Sequence, residues 1–445
     1  MSRRRHMHLA LVIGDAGFHQ AAWRQPGSGA EHLCDLGFFQ RLAERAERAV
    51  VDSLFVADVA GFDPQSHASW PTNQFEPLTL LAALAAVTSR VGLIATLSTT
   101  YTPAYTLARQ VLSLDHLSRG RAGVNIVTSR GGQHLYGLDE LPAHSARYQR
   151  AAESLDAARA LWDGWEPGAV LLDRAAGRYG DPQRIHEVDY QGEHVRLRGA
   201  LPSPRSLQGR PVVVQAGASE EGRELAARYA DVVFTMQGDA EHAASFYRDL
   251  KQRARAHGRD PEQLRVLQGV TPITAATEEA AIEQQRRLAQ LTDQGQALRR
   301  LSGLLNHIDC SGLPLDQPLP PALQAQARQA EPSTAANELL ELIARQRPLG
   351  DVLQRLVSSR GHWTPVGSHA QIAEQLQARF EAGATDGYVV LPADLLGSLD
   401  GLLEHVIPQL QQRQVLRSHY AGSTLREHLD LALPAWQPPV QGTHP

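Results

Sequence analysis

Polar side chains stand at the carboxyl ends of several short apolar runs in this sequence. GLIATLST (92–99) and AGVNIVTS (122–129), for example, both end in hydroxyl residues. A continuous apolar run is typical of a strand in a parallel sheet, because helices cover both faces of such a sheet. Folds of this kind place their chemistry at the carboxyl ends of the strands. The polar residues that the sequence places there are Asp15, His19, Asp58, Thr96, Ser98, Asn125, Thr128, Gln215, Ser219, Thr235 and Gln237.

Most of these side chains form hydrogen bonds without carrying a charge, which favours a broad and mostly neutral ligand. A flavin ring has this character, since one edge is polar and the other is an apolar dimethylbenzene. GASEEG (217–222) begins a predicted helix directly after an apolar run. The N–H groups of that helix start, together with the Ser219 hydroxyl, would suit a phosphate. Simple capping of the helix by Ser219 is the alternative.

Two further segments contain side chains that could reach a ligand. His144 and Tyr148 lie four residues apart in HSARYQRAAE and would flank the first turn of a predicted helix. His19, Trp23 and Arg24 lie close together in FHQAAWRQP. Ordinary packing is the alternative for both groups, because a lone aromatic cluster is usually structural.

Eight apolar runs alternate with segments of helical periodicity, and this alternation favours a (β/α)8 barrel over a doubly wound sheet. No G-x-G-x-x-G follows a run, so the phosphate loop of a dinucleotide-binding fold is missing from the sequence. The eight predicted strands are LALVIGD (9–15), SLFVAD (53–58), GLIATLST (92–99), AGVNIVTS (122–129), PVVVQAG (211–217), DVVFTM (231–236), QLRVLQGVTPI (263–273) and DGYVVLP (386–392).

Three stretches interrupt this alternation. Residues 163–210 predict an irregular excursion with a short hairpin at YQGEHVRLRG, and residues 274–365 predict a mainly helical insertion. The polar segment at about 409–445 predicts an extension that wraps the barrel or a neighbouring subunit. We expect residues 1–445 to form one elaborated barrel domain.

The pair His6 and His8 resembles the His-x-His metal ligands of barrel hydrolases. Those ligands must stand at the carboxyl end of the first strand, whereas this pair precedes it. Asp386 likewise stands at the start of the eighth run. We therefore expect no metal site and place the two histidines at the opposite mouth of the barrel.

Composition excludes several other classes of protein. The net charge of -5 without a basic block argues against nucleic acid as a partner, and no run approaches the ~18 apolar residues of a membrane span. Cys34 and Cys310 are too few for a disulfide framework, which favours a reducing cytoplasm and a structural role for both. Lys251 is the only lysine, and its charged neighbours predict a solvated helix face. Schiff-base and P-loop chemistry, which need a positioned lysine, are therefore disfavoured.

Taken together, these segments resemble the flavin-dependent monooxygenases of the bacterial luciferase-like superfamily, in the branch with nitrilotriacetate, dibenzothiophene-sulfone and long-chain alkane monooxygenases. The resemblance covers nearly the whole chain, and the order and spacing of its segments are more specific than any single one. It is carried by HQAAWRQP (19–26), SLFVADV (53–59), the stretch 76–129, HSARYQRAAE (144–153), the stretch 211–235, RLSGLLNHIDCSGLPLDQPLP (300–320) and WTPVGSHAQIAEQL (363–376).

The resemblance implies a (β/α)8 barrel that binds reduced FMN from a separate flavin reductase. Members use dioxygen to insert one oxygen atom into a small organic substrate and release the other as water, and they often form homodimers or homotetramers. By resemblance, Asp58 and Thr96 border the flavin ring, Asn125 lies beneath it, and His144, Tyr148 and Ser219 hold the ribityl chain and phosphate. His19 is the candidate catalytic residue near the reacting oxygen.

Two loops that would line the substrate pocket depart from the family pattern. RGGQHLYGL is shorter than the usual segment after the fourth strand, and Gly61–Trp70 matches no substrate-specific motif. The second loop has no charged cluster, which argues against a polycarboxylate chelate as substrate. A deazaflavin-dependent oxidoreductase on the same barrel and a flavin-binding protein without turnover remain the alternatives.

Overall fold

Eight parallel strands close into a barrel. Seven of them lie within predicted runs, and the first begins one residue before its run, at His8. The computed structural model describes residues 5–71, 75–129, 131–328, 334–439 and 442–443. Each strand pairs with its neighbours in chain order, and the last pairs with the first, which confirms the (β/α)8 prediction. The strands are β1 (His8–Val12), β2 (Ser53–Val56), β3 (Gly92–Ser98), β4 (Ala122–Val127), β5 (Val212–Gln215), β6 (Val232–Thr235), β7 (Arg265–Val270) and β8 (Gly387–Val390).

The helices between these strands begin where the sequence supplies a suitable first turn. Asp35 and Glu76 accept N–H groups from the first turns of their helices, and Pro77 occupies a first helical position, where its missing N–H costs nothing. Short 3-10 turns occur at residues 22–24, 30–32, 133–136, 182–184 and 261–263. The helices up to β7 are α1 (Leu36–Arg48), α2 (Pro64–His67), α3 (Pro77–Ala85), α4 (Ala104–Leu117), α5 (His144–Trp162), α6 (Glu220–Tyr229) and α7 (Ala240–Ala256).

The excursion between α5 and β5 consists of two antiparallel hairpins. Val170–Asp173 pairs with Arg178–Gly180, and Val188–Gln191 pairs with Arg196–Gly199. The second hairpin confirms the prediction for YQGEHVRLRG. Gly442–Thr443 adds a third strand beside Val188–Gln191, so the end of the extension lies against this excursion.

The insertion between β7 and β8 is helical, as predicted, and has a hydrophobic core of its own. Its helices pack Leu301, Leu339 and Leu356 together with the buried thiol of Cys310. A short parallel pair, Ile273–Ala275 with Val366–Ser368, brings the two ends of the insertion together. That residues 1–445 form one domain stays a prediction. The helices of the insertion are α8 (Glu278–Gln290), α9 (Gln294–Leu304), α10 (Pro321–Ala327), α11 (Thr334–Ala344) and α12 (Leu349–Ser359).

The extension wraps its own barrel and closes the mouth at the amino ends of the strands. Leu425 is fully buried, and a Cβ at Gly92 would lie 2.4 Å from its Cδ1 atom, so this glycine makes room for the leucine. Arg265, at the start of β7, donates to the Leu429 carbonyl at 2.9 Å. The remaining helices are α13 (His369–Glu381), α14 (Ser398–Gly401), a π-helical segment (Leu402–Val406), α15 (Ile407–Gln412) and α16 (Leu425–His428).

One sequence-based expectation about α7 is wrong. Lys251 was expected on a solvated face, but it is buried and donates to the carbonyl groups of Pro261 and Leu264. Its ammonium also lies 3.2 Å from the Asp386 carboxylate. The sequence did not predict this burial, because the residues around Lys251 are polar and only the turn of α7 that contains Lys251 faces the core. None of the helices formed by the described residues is long and apolar enough to cross a bilayer.

Candidate active site

Two predicted residues meet inside the barrel at the carboxyl ends of neighbouring strands. Thr96 of β3 and Asn125 of β4 are partners in the strand register, and the Asn125 amide donates to the Thr96 hydroxyl at 3.1 Å. Both side chains are buried. Asn125 Oδ1 has no hydrogen-bond partner among the described residues. Because a buried acceptor of this kind is unfavourable when left unpaired, it is suited to receive a donor from a ligand.

The starts of α5 and α6 bring the other three predicted residues of the phosphate site together. Ser219 caps α6 by accepting the Gly222 N–H at 3.1 Å, so the simple capping role is present. Its hydroxyl also donates to the Tyr148 hydroxyl at 3.4 Å, and the rings of His144 and Tyr148 are 4.8 Å apart. A helix start and three polar side chains from two elements therefore converge at one place.

Acidic residues in the first turn of α6 modify the charge at this helix start. Glu220 is engaged by Arg253 and Arg223 at 2.6 and 2.8 Å, and the hydrogen bond from Arg253 lowers the pKa of Glu220. Glu221 lies 3.7 Å from the His144 imidazole. The two arginines compensate the negative charge of Glu220, which would otherwise repel a phosphate.

Asp58 and His19 lie in the segments that follow β2 and β1 respectively. Asp58 is half-buried, and its carboxylate accepts the Val59 N–H at 2.9 Å where the loop after β2 begins. His19 is buried and accepts the Ala21 N–H on Nδ1 at 3.1 Å, so a neutral ring carries its proton on Nε2. Burial lowers the pKa of His19 to about 4, against the opposing effect of Asp394.

The neighbours of His19 have structural contacts. Trp23 donates from its indole to the Ser69 carbonyl at 2.9 Å, and Arg24 donates to the Leu291 carbonyl. These bonds connect the segment after β1 with the loop after β2 and with the insertion. The packing interpretation of Trp23 and Arg24 is therefore supported by their contacts.

His362 also belongs to this mouth of the barrel, although nothing in its sequence context indicates so. Its ring stacks on Phe234 of β6 with centroids 5.4 Å apart, and a Cβ at Gly269 of β7 would lie 2.2 Å from its Nδ1 atom. Burial, with Arg355 and Arg360 adding to it, lowers the pKa of His362 to about 3. The residue lies just before the segment WTPVGS, but no spacing in the sequence relates it to Phe234 or Gly269.

Two positively charged side chains from other segments lie beside the loop at Gly61–Trp70. The guanidinium groups of Arg300 and Arg360 lie 4.3 and 4.2 Å from the centroid of the Trp70 ring. The loop itself lacks a charged cluster, as its sequence indicates, yet the insertion brings two arginines to it. Arg300 and Arg360 therefore place positive charge beside a loop whose own sequence lacks a charged cluster.

The two amino-terminal histidines lie at the other mouth. His8 opens β1, and its ring lies 3.6 Å from the Asp52 carboxylate at the start of β2. Within the part of the chain that the structure describes, no three histidine, cysteine or acidic side chains are grouped as metal ligands would be.

The fold and the polar strand ends define a parallel-barrel enzyme, and comparison with known proteins identifies its family. Residues 16–386 match the family of luciferase-like monooxygenases. The chain is 39% identical to the N-acetyl-S-(2-succino)cysteine monooxygenase of Bacillus subtilis over 97% of this chain and 98% of that protein. It is also 39% identical to nitrilotriacetate monooxygenase component A of Aminobacter aminovorans, over 98% of each chain.

Solved structures agree with this relationship. A riboflavin lyase, RcaE, whose crystal structure contains modified FMN and riboflavin, is 28% identical with a TM-score of 0.85 over 96% of both chains. A coenzyme F420-dependent reductase from Methanopyrus kandleri shares the fold alone, at 14% identity and a TM-score of 0.56. The chain therefore belongs to the luciferase-like monooxygenase family and is a monooxygenase.

Proposed function

We propose that this chain is the oxygenase component of a two-component monooxygenase. It would take reduced FMN from a separate flavin reductase and use dioxygen to oxygenate a small organic substrate. The observation that carries the proposal is the convergence of Ser219, Tyr148 and His144 at the start of α6, because FMN ends in a phosphate and helix starts bind phosphate. The relative named component A supports the division of labour between two proteins.

FMN is favoured over a deazaflavin by the relatives. The riboflavin lyase that is 28% identical holds modified FMN, whereas the F420-dependent reductase is similar in fold alone. Bound reduced FMN would supply the electrons that activate dioxygen. Every other contribution would come from side chains of this chain.

The proposed roles follow from the contacts of each residue. Asn125 would offer its buried Oδ1 to a flavin ring N–H, with Thr96 fixing the orientation of the amide. Asp58 would border the ring at the end of β2. Ser219 and Tyr148 would donate to the phosphate, beside His144.

His19 is proposed as the polar group near the reacting oxygen. Since its pKa is lowered to about 4, it stays neutral at neutral pH and presents Nε2–H as a donor, without acting as an acid. A buried neutral donor can orient a reacting oxygen without delivering stray protons, which would divert the reaction to hydrogen peroxide.

The test of the proposed function is dependence on a second protein. We expect purified chain with NADH or NADPH, oxidised FMN and oxygen to be nearly inactive. Adding a flavin reductase, or supplying photoreduced FMN, should start oxygen uptake and substrate oxygenation. Steady oxidation of NADH or NADPH by this chain alone, coupled to product formation, would contradict the two-component proposal.

The formation of a homodimer or homotetramer stays a prediction, and light scattering would measure it.

The proposed phosphate site has a separate test. Replacing Ser219→Ala and Tyr148→Phe together should weaken binding of reduced FMN by about 1–3 kcal/mol, the contribution of hydrogen bonds to a charged group. Anaerobic titration measures the affinity. Because Ser219 also caps α6, unfolding by urea should be followed in parallel. Unchanged affinity in the double variant would remove both residues from the phosphate site.

A further inference from the structure

A cavity of about 740 Å³ lies between the loop after β2 and helix α9 of the insertion. Its wall includes Val59, which follows Asp58, and Gln20, which follows His19. The cavity therefore adjoins two residues of the proposed oxygenation site. If the proposed function holds, this is the space in which a substrate would lie beside the flavin.

Two cations gather on one aromatic ring in the wall of this cavity. Arg300 of α9 and Arg360, which follows α12, both lie within 4.3 Å of the Trp70 ring centroid. Such contacts are favourable singly, but two guanidinium groups on one indole repel each other. Burial, and after it the charge of Arg360, lowers the pKa of Arg300 to about 9.

The acidic side chains nearby do not balance this pair. Arg360 Nη2 lies 3.5 Å from the Asp15 carboxylate, and this is the one acid within salt-bridge distance of either arginine among the described residues. Asp63 and Asp309 lie at the exposed rim, where Asp309 accepts from the backbone and hydroxyl of Ser311. Asp63 opposes the lowering of the pKa of Arg300, but its carboxylate is exposed and screened by solvent, and Arg300 has no acid within salt-bridge distance among the described residues.

Buried hydrogen-bond donors accompany this charge. Trp70 is 3% exposed, and its Nε1–H has no acceptor among the described residues. The same is true of Nε–H in Arg360. Buried donors are nearly always paired in folded proteins, so these two are suited to an acceptor that a ligand brings.

We infer that this cavity is the substrate site and that its substrate is an organic acid, bound through a carboxylate by Arg300, Arg360 and the Trp70 indole. A single carboxylate supplies the missing negative charge, and its planar pair of oxygens matches the donors of a guanidinium. Phe62 and Leu304, also in the wall, offer contact to an apolar part of the same molecule. The assignment as substrate rests on the proposed function, whereas the acid-binding site does not.

The test compares two probes of the same shape, 3-phenylpropionate and 3-phenylpropionamide, by calorimetric titration of the full chain. We expect the acid to bind at least tenfold more tightly than the amide. Arg300→Gln and Arg360→Gln should each weaken acid binding at least tenfold and leave the amide within twofold. Arg299→Gln is the matched control, since Arg299 lies on the same helix at the exposed rim, and it should change acid binding less than twofold.

A fourth variant guards against misfolding. Arg360→Lys keeps the charge but loses the forked donors, so it should weaken acid binding by an intermediate factor while circular dichroism stays native. Equal affinity for acid and amide, or an Arg299→Gln loss as large as that of Arg300→Gln, would overturn the inference.

The same samples separate this inference from the proposed function. A chain that binds reduced FMN and consumes oxygen but shows no preference for the acid overturns the acid site and leaves the proposed function standing. A chain that prefers the acid but fails to bind reduced FMN overturns the proposed function and leaves the acid site standing.

Discussion

The two mouths of the barrel differ in how their buried charged and polar groups are paired. At the amino ends of the strands, Asp386, Asp231 and Asp52 each face a cation: Lys251, Arg426 and Arg417 respectively. Burial alone would raise the pKa of each carboxyl, but these cations hold it below its usual value. The extension then covers the mouth with Leu425 and Leu429.

Buried polar atoms without a hydrogen-bond partner occur at both mouths within the described part of the chain. At the amino ends most belong to side chains that form ion pairs, such as Arg417 Nε with Asp52 Oδ1, whereas at the carboxyl ends several belong to neutral side chains without an ion pair. The atoms at the carboxyl ends include Asn125 Oδ1, Gln268 Oε1, Trp70 Nε1 and His362 Nδ1. Unpaired buried groups reduce stability, and they concentrate where a protein has a ligand to bind. We infer that the mouth at the amino ends serves stability and the mouth at the carboxyl ends serves binding.

The largest effect on stability is expected from Asp386→Asn, at the mouth formed by the amino ends of the strands. The carboxylate accepts from Arg5 at 2.7 Å and the Val266 N–H at 2.9 Å, and it lies beside buried Lys251. Removing its charge leaves the lysine uncompensated, so we expect a loss of about 3–5 kcal/mol in the free energy of unfolding by urea. Affinity for reduced FMN should not change.

The control for this variant is Asp400→Asn, which breaks a partly exposed pair with Arg45. Surface pairs contribute about 0–1 kcal/mol, so the control should be nearly neutral. Equal losses in the two variants would show that the buried cluster does not stabilise this mouth.

Stability should depend almost as strongly on the packing of the extension over the same mouth. Leu425→Ala removes a fully buried side chain, and such truncations cost about 2–5 kcal/mol. Leu433→Ala, in the same extension but 64% exposed, should change stability by about 0.5 kcal/mol or less. If the two variants unfold at the same urea concentration, the extension does not cover the barrel in solution.

How much of each mouth can be predicted from the sequence depends on how far apart along the chain the contacting residues lie. The strands follow from apolar runs and short-range turns, so β3 and β4 were predicted, and with them the placement of Thr96 and Asn125; the hydrogen bond between the two was not. The burial of Lys251 was missed, because its partner Asp386 is far away in the sequence.

The grouping of Arg300 and Arg360 on Trp70 was missed for the same reason. These residues come from α9, the end of α12 and the loop after β2, and no periodicity relates them. Only the packing of the insertion over the barrel brings them together.

An intermediate effect is expected from the pH dependence of stability at the binding mouth. The pKa of His19 falls from 6.5 in the unfolded chain to about 4 in the folded one, mainly because of burial. Above pH 6.5 both states are neutral, and below it the unfolded state alone takes up the proton. Stability should therefore fall by roughly 1.4 kcal/mol per pH unit from this residue as the pH decreases toward 4.

His19→Gln should remove this part of the slope. Between pH 6.5 and 5 we expect wild type to lose roughly 2 kcal/mol more than the variant in urea unfolding. His32→Gln, at a side chain that is 56% exposed, is the control and should run parallel to wild type. Parallel curves for His19→Gln would mean that the ring is already protonated or hydrated in the fold.

The smallest effect is expected at the start of α6, where the binding mouth carries a negative charge that a phosphate would oppose. Glu221 lies in the first turn, and Glu221→Gln should tighten binding of reduced FMN by about 0.3–1 kcal/mol, because the helix start then presents a more positive potential. Glu224→Gln, which comes later in the same helix, should have little effect, since the helix dipole acts mainly within its first turn. Anaerobic titration at low ionic strength should show the difference, and added salt should reduce it. Weaker binding after Glu221→Gln would instead mean that the contact at 3.7 Å between Glu221 and His144 orients the imidazole for the cofactor, so that the acid supports the site rather than opposing it.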